Sequence, residues 1–442
     1  MTVQDDDSFE GTAADPDQSA LVHQIDEAVE ELRAEIVTFL QEIVRIPSVT
    51  GSEGEVQAVV AARFRGAGLE TDVWEPDPTV LAPYSLHIGG FESLAGRPNV
   101  VGRLAGTGGG RSLILNAHID TVEPGDAIRW AHPPYAAQIE NGRLYGRGAC
   151  DMKAGLVTNL FALLALRAAG HAPRGDVILQ SVISEEDGGA GTLAAILRGY
   201  RADGAIVTEP TSLAIIPAHG GSLVFRLHVS GRAAHGAVRD EGVSAVEKFS
   251  YLHRALLDFE AGRNAAIDHP LYAGVRNKVP VSIGVVHAGS WPSTVPEELI
   301  AEGRAGLVPG EDLAAFQPIF VAAVDRAAAA DAWLSQHPPR VEWFSGQFAP
   351  AEIPADSPLV GVMARASHAV TGHPPAVEAV TYGADMRHFL LFGNMPCLMF
   401  GAGDVRVAHF ADEYVAIHEL LTATKALALA VAAWCGVVPR PT

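Results

Sequence analysis

The sequence predicts an α/β protein with a mostly parallel, helix-covered sheet, interrupted by a smaller inserted α+β domain. Strands alternate with helices through the first half, and after Pro217 the pattern changes to a β-α-β-β-α-β series. From about Ala349 the chain returns to helix, strand and helix. At 442 residues it is also long for one hydrophobic core, which favours two domains. The expected units are a disordered acidic tail over residues 1–18, a domain built from 19–216 and 347–442, and an inserted domain over 217–346.

Leu21, Ile25, Val29, Leu32, Ile36, Leu40 and Ile43 recur at steps of three and four, giving an amphipathic helix that ends where Ile46-Pro47 disfavours helical geometry. A helix over 53–67 stops at Gly68 and leads into the strand LETDVW. NVVGRL and SLILNAHI read as strands joined by AGTGGGR. That glycine run is not a dinucleotide loop, because it joins strand to strand and the phosphate fingerprint must open a helix. A helix over 153–169, the strand VILQSVISE, a short helix over 192–200 and the strand GAIVTEP follow. The inserted series runs SLVFRLHVSG, a helix over 243–259, VPVSIGVVHAG, ELIAEGRAGLV, a helix over 312–330 and RVEWF, which is the ferredoxin-like order. A helix over 358–369, the strand PCLMFG and a helix over 413–434 close the chain.

A formal charge of −21 argues against nucleic acid or an anionic membrane as partner, since both reward clustered Lys and Arg. Cys150, Cys397 and Cys435 are few, odd in number and far apart, as in a reducing compartment. MTVQDDDSFEGTAADPDQ has neither a basic nor an apolar leader region, and the apolar stretch Ala426 to Val438 is too short to span a bilayer. The expectation is a soluble, cytoplasmic protein.

Metal-type side chains gather where strands end, which is where open parallel sheets place ligands. SLILNA ends in His118-Ile119-Asp120, VILQSVIS in Glu185-Glu186, and GAIV in Thr208-Glu209; Asp151 opens a helix, and His409 follows PCLMFG. Each has an ordinary reading when taken alone: a polar strand end, a helix cap, a turn residue or a loop histidine. Their joint occurrence at strand ends is what points to chemistry.

In order and spacing, AHIDTVEPGD, YGRGACDMKAG, SEEDGG, TEPT, the His-Gly of GRAAHGA and VAHFADEYV resemble the M20 family of co-catalytic zinc hydrolases. The resemblance covers nearly the whole chain after the tail. It implies a zinc-peptidase-like catalytic domain with an inserted lid, and two divalent metal ions per subunit. His118 and Glu209 would hold one ion, Glu186 and His409 the other, with Asp151 bridging and the Asp151-Met152 peptide cis. Asp120 would hydrogen-bond the far nitrogen of His118, and Glu185 would be the general base. A ligand set of nitrogen and oxygen without thiolate suits zinc, and cobalt or manganese would also fit it. His235, in the lid, would stabilise the tetrahedral oxyanion, often across a dimer; its ordinary reading is a surface histidine. Arg304 matches a position that binds a substrate carboxylate, or is a solvated strand arginine. Gly383 matches a glycine whose backbone lies beside the substrate. Ser293 departs from the Asn common in relatives, which bears on substrate rather than catalysis.

The expected activity is therefore removal of an acyl group from an N-acyl amino acid or similar small amide, by a homodimer joined through its lids. Alternatives are a dipeptidase or carboxypeptidase, or hydrolysis of an unusual C–N bond such as a formamide or aromatic amine. A metal-free binding protein on the same fold would have lost a ligand or the base, and none is missing. A serine hydrolase lacks its G-x-S-x-G elbow.

Overall fold

The computed structural model describes residues 16–440, with side chains from residue 19. The expected acidic tail falls largely outside the described residues, although residues 16–18 already belong to the first helix, Pro16–Arg45. That helix buries Ile25, Val29, Ile36, Leu40 and Ile43, the face the three-four spacing predicts.

The larger sheet has nine strands. Val177–Val182, Leu113–His118, Ala205–Val207 and Cys397–Met399 lie side by side in that order and run parallel. Leu113, Ile114 and Leu115 are fully buried, as a strand covered on both faces requires. Outside this centre the pairing is mixed, with Val377–Val380 again parallel to Ile215–His219. On one side Asn99–Leu104 and Glu70–Trp74 add antiparallel, and on the other Ile215–His219 pairs antiparallel with Cys397–Met399. The two strands flanking the glycine run do not pair with each other, because Val177–Val182 lies between them.

Helices Pro16–Arg45, Ala154–Ala168, Pro358–Thr371 and Ile417–Cys435 pack against one another over this sheet's apolar core. The last differs from expectation. It begins at Ile417 rather than 413, because Tyr414–Ala416 pairs with Arg143–Tyr145 as a strand. By length and composition it and Ala149–Ala168 could each cross a membrane, but 67% and 89% of their most apolar windows are buried inside the fold.

A second sheet is ordered Val281–Ala288, Glu298–Leu307, Gly221–Ser230, Arg340–Trp343, antiparallel throughout. With helices Ala245–Ala266 and Leu313–Ala329 it makes the ferredoxin-like order around its own core of Phe225, Leu252, Phe316 and Phe320. The second helix starts where Asp312 accepts the Ala315 N–H at 2.9 Å, an N-cap. The two sheets meet at a small apolar cluster around Tyr272, Val279, Ala218 and Ala379, where the Tyr272 hydroxyl donates to the Val380 carbonyl at 3.0 Å.

Candidate metal centre

Four neighbouring parallel strands deliver the site from their carboxyl ends. His118 is the last residue of its strand, Glu185 and Glu186 follow Val182, Glu209 follows Val207, and His409 lies beyond Met399. Asp151 comes from the turn before helix Ala154–Ala168, where the Asp151-Met152 peptide is cis.

Atoms of His118, Asp151 and Glu186 that could ligate one ion lie within 4.8 Å of one another. The Asp151 carboxylate faces both histidines, with Oδ1 3.0 Å from His118 Nε2 and Oδ2 3.5 Å from His409 Nε2. His409 Nε2 is also 3.2 Å from Glu186. Glu209 is buried within the field of Asp151 and His118. The His409 side chain is 51% exposed against 1% for His118, so the site opens on the His409 side.

The electrostatics describe a cluster short of positive charge. Burial pushes the Glu185 and Glu209 carboxyls well above the usual range, with nearby Asp385 and Asp151 adding to the effect. Burial alone would lower His118, but Asp151, Glu209 and Asp120 outweigh it and raise it. Hydrogen bonds donated to the Asp151 and Glu186 carboxylates push His409 up to about 11. A divalent cation meets the same demand, and the nitrogen and oxygen donors fit one.

Asp120 corrects an expectation. His118 Nδ1 donates to the backbone carbonyl of Asp120 at 2.9 Å, and the carboxylate is farther away at 3.6 Å. The carboxylate instead accepts the N–H groups of Glu185 at 3.1 Å and Glu186 at 3.2 Å, and the Thr50 hydroxyl at 2.9 Å. The residue thus fixes the histidine tautomer with its backbone and the glutamate pair with its side chain.

Two positions from the resemblance make contacts of their own. His235 is exposed, and its Nδ1 accepts the Ala237 N–H within the smaller domain. A Cβ at Gly383 would meet the Phe348 side chain at 2.7 Å, so close packing alone accounts for that glycine. Arg304 does reach the larger domain, donating to the Thr381 carbonyl at 3.3 Å, while its Nε is buried without a partner.

Sequence reasoning missed the supports. Buried Glu413 accepts the N–H groups of Cys150 at 2.9 Å and Asp151 at 3.1 Å and pairs with Arg147 at 2.6 Å, holding the turn that presents Asp151. Its one signal was an acid four residues after His409, at the start of the stretch read as helix. The Tyr382 hydroxyl is buried without a partner, within the field of Glu209 and Asp151.

The profile of peptidase family M20/M25/M40 matches residues 114–433, most of the chain and all five candidate ligands. The chain belongs to peptidase family M20. Among its M20 relatives, N-formyl-4-amino-5-aminomethyl-2-methylpyrimidine deformylase of Bacillus subtilis (strain 168) is 29% identical over 94% of this chain and 98% of that protein. Acetylornithine deacetylase of Myxococcus xanthus is 30% identical over 76% of this chain and 84% of that one. Human carnosine dipeptidase 1 superposes with a TM-score of 0.71 at 17% identity, covering 93% of this chain and 98% of that one, a likeness of fold. The expectation of an M20 hydrolase acting on C–N amide bonds stands.

Proposed function

We propose that this M20 hydrolase removes a small acyl group, formyl foremost, from the nitrogen of a small molecule. The observation that carries the choice is similarity running through 94% of the chain to a formamide hydrolase, beyond the span shared with the deacetylase. The N-acyl amino acid remains a second reading, favoured by Arg304, whose buried Nε has no partner and whose planar fork suits a substrate carboxylate.

His118 and Glu209 would hold one divalent ion and Glu186 and His409 the other, with the two Asp151 oxygens, each facing one histidine, between them. Zinc is the first choice, with cobalt or manganese compatible. When bound, such a pair acidifies water and polarises the scissile carbonyl. Glu185, held by Asp120 and with Oε1 buried and unpartnered, takes the proton of the attacking water and returns it to the leaving nitrogen. His235 of a second copy would donate to the tetrahedral oxyanion. A homodimer through the smaller domain is supported by the edge strand Val281–Ala288, which has one neighbour and exposes Val285 and Val286. The substrate is a small molecule, with neither nucleic acid nor membrane as partner, and the unpaired, buried cysteines support the cytoplasm.

A panel of formyl, acetyl and succinyl amides and dipeptides, assayed before and after chelation, tests this reading. Formamides should turn over fastest, and activity should vanish with chelator and return with zinc or cobalt. Turnover indifferent to chelation, or dipeptides as the best substrates, would overturn it.

A further inference from the structure

The turn Ser184–Gly189 carries both glutamates on a bent backbone, with φ of +61° at Ser184 and +79° at Gly189. Two buried arginines grip it from opposite ends. At the start, Arg97 forms a two-pronged pair with buried Glu53, at 2.8 and 2.7 Å, and donates from Nη2 to Ser184 Oγ at 2.5 Å. At the end, Arg387 donates from Nη2 to the Gly188 carbonyl at 2.6 Å and from Nη1 to the Ala384 carbonyl at 2.8 Å. Its guanidinium lies 3.9 Å over the Phe348 ring, the ring that packs on Gly383. The turn presses closely on this support, since a Cβ at Gly189 would collide with the Asp385 carboxylate and the His388 ring.

Burying two guanidinium groups is expensive, and apolar side chains would fill the same space at less cost. What arginine adds is direction, because a planar fork fixes the carbonyl or hydroxyl it binds in distance and in angle. Between the two grips lie only Glu185, Glu186 and Asp187. We propose that Arg97 and Arg387 form a clamp that sets Glu185 against the scissile bond, a positioning role that rests on Glu185 as the proton carrier.

Arg387→Lys keeps the charge and loses the fork. Ser184→Ala removes one hydroxyl and leaves the Glu53–Arg97 pair whole. In both, amide hydrogen exchange at residues 185–189 should speed up about tenfold, while Leu113–His118 and Val177–Val182 keep their protection. Metal content should match wild type. Against the best amide of the panel, kcat should fall about a hundredfold in Arg387→Lys and about tenfold in Ser184→Ala, with KM within about threefold. The double variant should lose less than the product of the two. If Arg387→Lys does not fold, Ser184→Ala carries the test. Unchanged exchange at 185–189, exchange raised equally in the central strands, or a loss confined to KM would each overturn the clamp. Exchange is read without substrate, so a chain with the predicted exchange but no amide turnover would sink the function and leave the clamp standing.

Discussion

The carboxyl ends of the large sheet and the smaller domain both carry residues proposed for the reaction, and they are built in opposite ways. At the sheet ends His118, Glu185 and Glu209 are buried and Asp151 and Glu186 nearly so, and Asp120 and Glu413 brace the backbone beneath them. In the smaller domain His235 is exposed and its side chain accepts the Ala237 N–H of its own loop, and Arg304 reaches one backbone carbonyl. The groups proposed to bind ions and move protons are preorganised inside one chain, where rigidity lowers the cost of reaching the transition state. The groups proposed to meet the substrate from the other side stand apart, and on that proposal a substrate or a second chain completes them.

The largest effect should come from the braced half. Glu185→Gln keeps the shape and the backbone contacts to Asp120 but cannot take a proton, so kcat should fall about a thousandfold with metal content unchanged. Elemental analysis beside steady-state kinetics checks this. Loss of metal would mean that Glu185 is a ligand and that Glu186 is the proton carrier.

A smaller effect, with a different signature, should come from the other half. His235→Ala should lower kcat by about a hundredfold, the cost of one oxyanion donor. Mixed with Glu185→Gln under subunit exchange, it should regain activity, because some hybrid sites pair an intact glutamate with an intact histidine from the other copy. No recovery despite confirmed exchange would place His235 within its own site or outside any.

The same contrast explains what the sequence made legible. Strand ends with His, Asp and Glu were readable because a parallel sheet sends its ligands to one edge, where His118, Asp151 and Glu186 cluster, His409 approaches Asp151 and Glu186, and Glu209 is buried in the field of Asp151 and His118. The ferredoxin-like order was readable because three of its four strands run eight to ten residues. The supports were not. Glu53, Arg97, Arg147 and Glu413 are buried charges whose partners lie far off in sequence, 44 residues apart for Glu53 and Arg97 and 266 for Arg147 and Glu413, and Arg387 reaches back 199 residues to Gly188. No local period marks such pairs. Tyr414–Ala416 was read as helix because three residues of strand carry too little alternation to compete with the apolar run that follows.

The smallest expected effect lies at the junction between the two sheets. His219 ends the strand Ile215–His219 fully buried, with Nδ1 donating to the Gly220 carbonyl at 2.7 Å and Nε2 unpartnered. Burial, opposed by the Gly220 carbonyl and aided by nearby Arg387, lowers it from 6.5 to about 4. Between those values the unfolded chain binds a proton that the folded chain refuses, so stability rises with pH across the window and falls as the medium is acidified. From pH 7 to pH 5 this one group should cost roughly 2 kcal/mol of folding free energy. His219→Asn can keep the donor to Gly220 and has nothing to titrate, so urea unfolding at the two pH values should show a smaller acid loss by about that amount. An equal loss in the variant would mean that the imidazole finds solvent or a partner on protonation, and that the junction opens at mild acidity more easily than its packing implies.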